Sequence, residues 1–192
     1  MTAILLVAGS SRRFGSQKLL ARLLDGRYVV EAAANNLLAG AGHVIAVTGG
    51  NEQLRRVLGN CGCEVVVNAR AEEGMGTSIA AGVRASAAAA SWIIALGDMP
   101  YIRPGTIASA ISALGADNGI VLPTFREMRG HPVVFAARFG DELMALQGDI
   151  GARNVVARHP DRIRLLPVND AGVLADIDTP DDLDKEHPHH RP

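Results

Sequence analysis

A chain of 192 residues, 48% hydrophobic but only 4% aromatic, buries on the order of 70% of its unfolded surface as one domain, and must fill that core with Ala, Val, Ile and Leu, the usual filling of helices packed on a sheet. Its 19 basic and 20 acidic side chains leave a formal net charge of -1, which excludes a general nucleic-acid binder held by counterion release. Any anion must be met by local charge.

Two cysteines, Cys61 and Cys63, are too few and too close for a disulfide framework or a four-ligand zinc site, and read as structural. The first residues lack a signal-peptide pattern, and no apolar run reaches about 18 residues. The expectation is a cytoplasmic protein with no membrane and no nucleic-acid partner.

In chain order, the apolar run from Ala3 to Val7 breaks into Ala8-Gly9-Ser10-Ser11-Arg12-Arg13-Phe14-Gly15-Ser16-Gln17-Lys18. This is the profile of a buried strand feeding an anion-binding loop. Small side chains let backbone amides approach a ligand, Gly9 and Gly15 permit unusual backbone angles, and Arg12 and Lys18 supply charge, so a polyphosphate is the ligand suggested. Neither a P-loop Gly-Lys-Ser/Thr nor a Gly-x-Gly-x-x-Gly fingerprint is present. A plain Gly/Ser turn would need neither this length nor these cations, although Arg13 reads as a surface charge.

Residues 19–24 are expected to be extended, turning at Asp25-Gly26. Val30, Ala33, Ala34, Leu37 and Leu38 recur at helical spacing, with Gly40 and Gly42 as stop signals. A strand over 44–47, a helix capped by Asn51 and running to about Leu58, and a strand over 64–67 follow. The polar connection 68–76 ends in Gly74-Met75-Gly76-Thr77-Ser78, ahead of an Ala-rich helix over 79–90. The strand over 92–96 stops at Gly97-Asp98-Met99-Pro100, and Pro104 opens a helix that leads to a strand over 120–122. This βα alternation is that of an α/β fold.

From Pro123 the pattern changes. A polar segment, 124–131, precedes the extended 132–135, whose leading Pro132 suggests a sheet edge or an insertion. A helix near 141–146, the loop Gly148-Asp149-Ile150-Gly151, a helix through Ala157 and a strand over 163–168 complete the sheet. No internal repeat or long linker appears, so residues 1–185 are expected to form a single domain, with 186–192 a disordered tail whose His187, His189 and His190 are solvated.

Asp98 follows a strongly apolar strand, at the edge of an open α/β sheet where ligands bind, and a carboxylate there must be solvated, paired or metal-bound. Its plain alternative is a turn Asp before Pro100. Asp176 and Asp178 alternate about Ile177 and so share a face of an extended segment, while Thr179-Pro180-Asp181-Asp182 starts a helix and accounts for its own acids. Asp178 is left as a second oxygen ligand for a hard cation near Asp98, and two aspartates with phosphate oxygens suffice for Mg²⁺. The loop Gly74–Ser78 is read either as a helix cap or as hydrogen bonds to a base. Arg129-Gly130-His131-Pro132 is read either as a turn or as a seat for an anionic acceptor.

Together, Leu6-Val7-Ala8-Gly9-Ser10-Ser11-Arg12-Arg13-Phe14-Gly15 with Lys18, Gly74-Met75-Gly76-Thr77-Ser78, Leu96-Gly97-Asp98-Met99-Pro100, Arg129-Gly130-His131-Pro132, Gly148-Asp149-Ile150-Gly151-Ala152-Arg153 and Asp176-Ile177-Asp178-Thr179-Pro180 resemble the nucleotidyltransferases of the molybdenum-cofactor branch, most closely the molybdenum cofactor cytidylyltransferases. The motifs occur in family order over nearly the whole chain. Val7 replaces the usual first Ala of Leu-Ala-Ala-Gly, and Met99 stands where Gln is common.

The resemblance implies a Rossmann-like, three-layer nucleotidyltransferase fold with a mostly parallel sheet. It implies that Ala8, Gly9, Ser10, Ser11, Arg12, Gly15 and Lys18 wrap the triphosphate of a nucleotide, CTP in first place. Gly74, Gly76 and Ser78 would bind the base, Asp98 and Asp178 would hold Mg²⁺, and Arg12, Lys18 and Asp98 would carry the catalysis. A molybdopterin phosphate would attack the α-phosphate and release pyrophosphate, with Arg129 and His131 on the acceptor side and a molybdoenzyme or its maturation chaperone as partner. Transfer from GTP, transfer to another phosphorylated acceptor, and a non-catalytic nucleotide-binding maturation protein are the alternatives.

Overall fold

The computed structural model describes residues 1–8 and 18–183. The elements are β1 (Thr2–Leu6), α1 (Val29–Ala41), β2 (Val44–Thr48), α2 (Glu52–Cys61), β3 (Glu64–Val67), α3 (Met75–Ala85), β4 (Ser91–Leu96), α4 (Pro104–Ser112), β5 (Ile120–Phe125), β6 (Met128–Arg129), β7 (Val133–Ala136), α5 (Gly140–Met144), α6 (Arg153–Arg158) and β8 (Ile163–Pro167).

All eight strands join one sheet. β1 pairs in parallel with β2 and β4, and β2 with β3. β7 runs antiparallel between β4 and β5, so β5 and its parallel neighbour β8 point the same way as β4. The carboxyl ends of all the parallel strands therefore open on one edge, the edge where α/β sheets take their ligands. Alternate residues of β1 feed opposite faces, Ala3 and Leu5 into one apolar layer and Ile4 and Leu6 into the other. Helices α1, α2 and α4 cover the first face through Val30, Leu37, Leu58 and Ile107, and α3, α5 and α6 cover the second through Ile79, Val83, Leu143 and Val155. This is the three-layer, mostly parallel α/β architecture expected.

The early βα units lie close to their sequence positions. The Asn51 side chain accepts from Leu54 N–H at 3.1 Å, and α2 runs on to Cys61 because Gly62 supplies the left-handed cap.

Four local expectations are corrected, and one open segment gains its elements. Residues 19–24 are not one extended run: Lys18–Leu20 form a 3₁₀ turn that buries Leu19, and Arg22 then bridges Tyr28 around the turn at Asp25-Gly26. Gly40 is not a stop signal but lies inside α1, where a side chain would meet Ile107 Cβ at 2.7 Å. The helix expected over 79–90 begins at Met75 and ends at Ala85, because the Ser86 hydroxyl turns back to the Gly82 carbonyl and takes the Trp92 indole N–H at 3.0 Å.

The polar segment 124–131, to which the sequence assigns no element, carries the end of β5 and the strand β6, joined through Arg126 and Glu127 at positive φ. Finally, Pro132 does not mark a sheet edge. It sits just ahead of Val133, the first residue of β7 paired to β4, so its missing N–H removes no ladder bond and β7 lies inside the sheet.

β8 occupies one side of β5 along Ile120–Thr124, so β7 and β6 lie end to end on the other. The register slips by two residues between Val121–Val134 and Thr124–Arg129, which makes the strand bulge at 130–132. The expected tail lies outside the described residues.

Candidate active site

The site starts where β4 ends. Gly97 N–H donates to the Leu6 carbonyl at 3.0 Å and extends the β1–β4 ladder by one step, in a space where a Cβ would meet Val7 Cγ1 at 2.6 Å. Asp98 follows, and its carbonyl accepts from Ile177 N–H at 2.9 Å. That bond, together with the buried side chain of Ile177, fastens the C-terminal segment across the end of β4. Asp178 is thereby brought to Asp98. The turn beyond it is held by Asp182, whose Oδ2 accepts from Asp178 N–H, Thr179 N–H and Thr179 Oγ1 at 3.0, 2.8 and 2.9 Å.

Lys18 completes the group. Its Nζ donates to Asp98 Oδ2 at 2.8 Å and to Asp178 Oδ1 at 3.0 Å. Partial burial works against the ammonium charge, but the two carboxylates outweigh it, and the Lys18 pKa is raised. Asp98 Oδ1 is buried with no hydrogen-bond partner. Asp176 shares the field of this cluster: loss of solvation first, then the Asp178 carboxylate, push its pKa up.

His131 stands at the bulge between β6 and β7. Its N–H donates to the Val173 carbonyl at 2.9 Å, and Gly130 is required beside it because a Cβ would lie 2.9 Å from Val173 Cβ. The ring is buried enough to lower its pKa, against the opposing pull of Asp98 and of a hydrogen bond to the Ile94 carbonyl, while Arg153 adds to the lowering. Its Nδ1 has no partner.

Of the residues singled out from sequence, Lys18, Asp98 and Asp178 meet directly and His131 lies within electrostatic reach of Asp98. Ala8 follows β1 onto the same edge, next to Gly49 beyond β2. Gly9, Ser10, Ser11, Arg12 and Gly15 lie outside the described residues.

Gly74, Gly76 and Ser78 form a separate group at the start of α3. Here a neighbouring loop makes the close approach that glycine allows. Gly76 N–H donates to the Gly148 carbonyl at 2.8 Å, a Cβ on Gly76 would lie 2.8 Å from the Gln147 backbone, and one on Gly74 would lie 2.6 Å from Asp149 Oδ1. The buried hydroxyls of Thr77 and Ser78 face inward and accept from Asn68 Nδ2 at 2.9 and 3.1 Å.

Arg129 is exposed on β6. Among the described arginines, Arg129 and Arg153 alone have side chains that make no hydrogen bond, ion pair or ring contact. Arg153 and Asp176 were passed over as site residues in the sequence. The signal for Asp176 was its place on the same face as Asp178. Arg153 closes the Gly148–Arg153 motif, whose purpose the spacing left open.

Among the described residues, no group of three or more His, Cys, Asp or Glu side chains is arranged to hold a metal. No helix among them is long and apolar enough to cross a membrane.

A family model described as the MobA-like NTP transferase domain matches residues 3–163. Nicotine blue oxidoreductase of Paenarthrobacter nicotinovorans is 32% identical, the match covering 93% of this chain and 92% of that protein. Among solved structures, a nucleotidyl transferase from Methanothermobacter thermautotrophicus superposes with a TM-score of 0.83 at 21% identity, covering 98% of this chain and 96% of that one. Rv0371c of Mycobacterium tuberculosis H37Rv, in a complex with manganese, superposes with a TM-score of 0.73 at 28% identity, covering 94% of each chain.

Proposed function

Since the chain belongs to the MobA-like NTP transferase domain family, we propose that it transfers a nucleotidyl group, in first place from CTP to the phosphate of a molybdopterin, giving a pyrophosphate-linked dinucleotide cofactor and free pyrophosphate. The observation that carries this reading is the meeting of Lys18, Asp98 and Asp178 at the carboxyl end of β4.

The donor set fits a hard divalent cation. Asp98 keeps one buried oxygen without a partner, Asp178 is at hand, and two carboxylates suffice when phosphate oxygens and water complete the shell. The manganese complex of the Rv0371c relative supports a divalent cation, and Mg²⁺ is the ion proposed for this chain. When bound, it would neutralise charge on the nucleotide phosphates.

The chain's own residues do the rest. Lys18, with Arg12 from the opening loop, binds the β- and γ-phosphates and takes up charge as the leaving group departs. The amides of Ala8, Gly9, Ser10, Ser11 and Gly15 are assigned to the same phosphates, and the loop with Gly74, Gly76 and Ser78 is assigned to the base through its backbone and fold, since the glycine spaces are filled by residues 147–149 and the Ser78 hydroxyl is buried on Asn68. Arg129 and His131 orient the acceptor. An acceptor phosphate oxygen forms the new bond to the α-phosphorus as the bond from that phosphorus to the bridging oxygen breaks, and pyrophosphate carries the electron pair away. The nucleophile is already an anion at neutral pH, so no general base is needed. A neutral His131, its pKa held down by burial, is consistent with a positioning role.

The test is incubation with each nucleoside triphosphate, Mg²⁺ or Mn²⁺, and molybdenum cofactor, with pyrophosphate as readout. Release with CTP supports the reading, and release with GTP alone moves the base preference. Binding without release makes the chain a nucleotide-binding maturation protein. The name of the 32% identical relative supports a second reading, an oxidoreductase, so a parallel incubation with nicotine blue and a reduced nicotinamide is followed by absorbance. Turnover there without pyrophosphate release anywhere would sink the transferase reading.

A further inference from the structure

Lys18 and a divalent cation want the same two carboxylates. The ammonium lies 2.8 Å from Asp98 Oδ2 and 3.0 Å from Asp178 Oδ1, and so holds one oxygen of each carboxylate, leaving Asp98 Oδ1 buried without a partner and the other Asp178 oxygen on the exposed side. A dication coordinated by these oxygens would sit at contact distance from the ammonium, where repulsion exceeds anything a pair of hydrogen bonds returns. The two cations therefore compete for the charge of one pair of carboxylates.

The lysine is built to move. Its backbone is pinned by the 3₁₀ turn and the buried side chain of Leu19, whereas the ammonium rides on a flexible four-carbon stem. A polyphosphate arriving at Lys18 offers that ammonium anionic acceptors in place of the two carboxylates. Once Lys18 leaves, Asp98 and Asp178 face each other uncompensated and demand a cation.

We propose that Lys18 is an internal counter-ion that closes the metal site in the nucleotide-free protein and is drawn off by the polyphosphate, so that nucleotide and divalent cation bind with positive coupling through this one side chain. This rests on the reading of Asp98 and Asp178 as metal ligands. Metal alone then binds weakly, and by reciprocity metal-free nucleotide is also held below its full affinity.

The probe is Mn²⁺, with free ion measured by its electron paramagnetic resonance signal, on the full-length protein without nucleotide. Lys18→Met keeps the stem and removes the charge, and Lys18→Gln is a second variant should the first fail to fold by circular dichroism. The folded variant should bind Mn²⁺ about tenfold or more tightly than wild type, within the range usual for coupled sites. A non-hydrolysable CTP analogue should tighten Mn²⁺ binding markedly in wild type and much less in the variant.

Equal Mn²⁺ affinity in wild type and either folded variant overturns the proposal. Asp98→Asn and Asp178→Asn separate the two layers of the argument. If they abolish Mn²⁺ binding while the Lys18 variants change nothing, the ligands stand and the counter-ion role falls. If they leave Mn²⁺ binding intact, the ligand reading itself falls and takes the coupling with it.

Discussion

Asp98 is held by its own backbone, with one oxygen on Lys18 and the other buried and unpaired. Removing such a carboxylate relieves an unsatisfied acceptor, so Asp98→Ala should leave the circular dichroism spectrum and melting temperature near wild type while pyrophosphate release disappears. Lys18→Ala removes a preorganised cation, and turnover should fall by about 10² to 10³, with nucleotide KM rising as well. Unchanged kinetics would assign Lys18 to a purely structural ion pair.

His131 gives a pH signature. Its folded pKa lies below the ordinary imidazole value of 6.5, so below that value the unfolded chain holds the extra proton and stability drops as pH falls toward the folded pKa. Urea midpoints taken from about pH 7.5 down to about pH 5 should show this loss, at no more than about 1.4 kcal/mol per pH unit, and His131→Gln should flatten it. That Asp98 and Asp178 belong at one edge was legible because Asp98 closes an apolar strand and Asp178 precedes a capped turn, and the structure brings both to Lys18. What the sequence hid was spatial: that Asp176 shares the field of the cluster, and that Arg153 approaches His131 across a separation no spacing rule reaches.

At the scale of elements, the early βα units were readable because β1, β2 and β4 are buried almost throughout and α2 carries an ordinary Asn51 cap and Gly62 stop. The reading was incomplete over 124–132 for identifiable reasons, while the extended run after Pro132 is β7. The β5–β6 turn uses Arg126 and Glu127 at φ 49° and 66° in place of the Asn-Gly pair that announces such turns, and Pro132 escapes the ladder by one residue.

Gly40 shows the same ambiguity inside a helix, where a glycine that ends an element and one that admits a neighbour look alike in sequence. Alanine there would ordinarily stabilise α1 by about 1 kcal/mol. Its Cβ would lie 2.7 Å from both Ile107 Cβ and the Pro104 carbonyl oxygen on α4. Backbone does not yield as a flexible side chain does, and overpacking costs about 1 to 3 kcal/mol. Gly40→Ala should therefore lower the urea unfolding free energy by about 1 kcal/mol. A gain would mean that α1 and α4 separate more readily than their packing implies.

For the molecule as a whole, β8 ends at Pro167, yet the segment beyond it supplies Asp178 and buries Val173 and Ile177. A chain ending at Val168 would keep every strand and lose one end of the site. It should be destabilised by at least about 2 kcal/mol through the lost apolar contacts, and should lose Mn²⁺ binding in the presence of nucleotide. Retained binding would remove Asp178 from the metal site.

Lys18 and Asp178 stand 160 positions apart. During synthesis the N-terminal elements emerge and organise first, so the opening loop and β1 exist for most of translation without the second carboxylate. The clasp of Ile177 on Asp98 closes only after β8 and the segment behind it have been made. The cluster of Lys18, Asp98 and Asp178 is therefore completed after the sheet on which it stands.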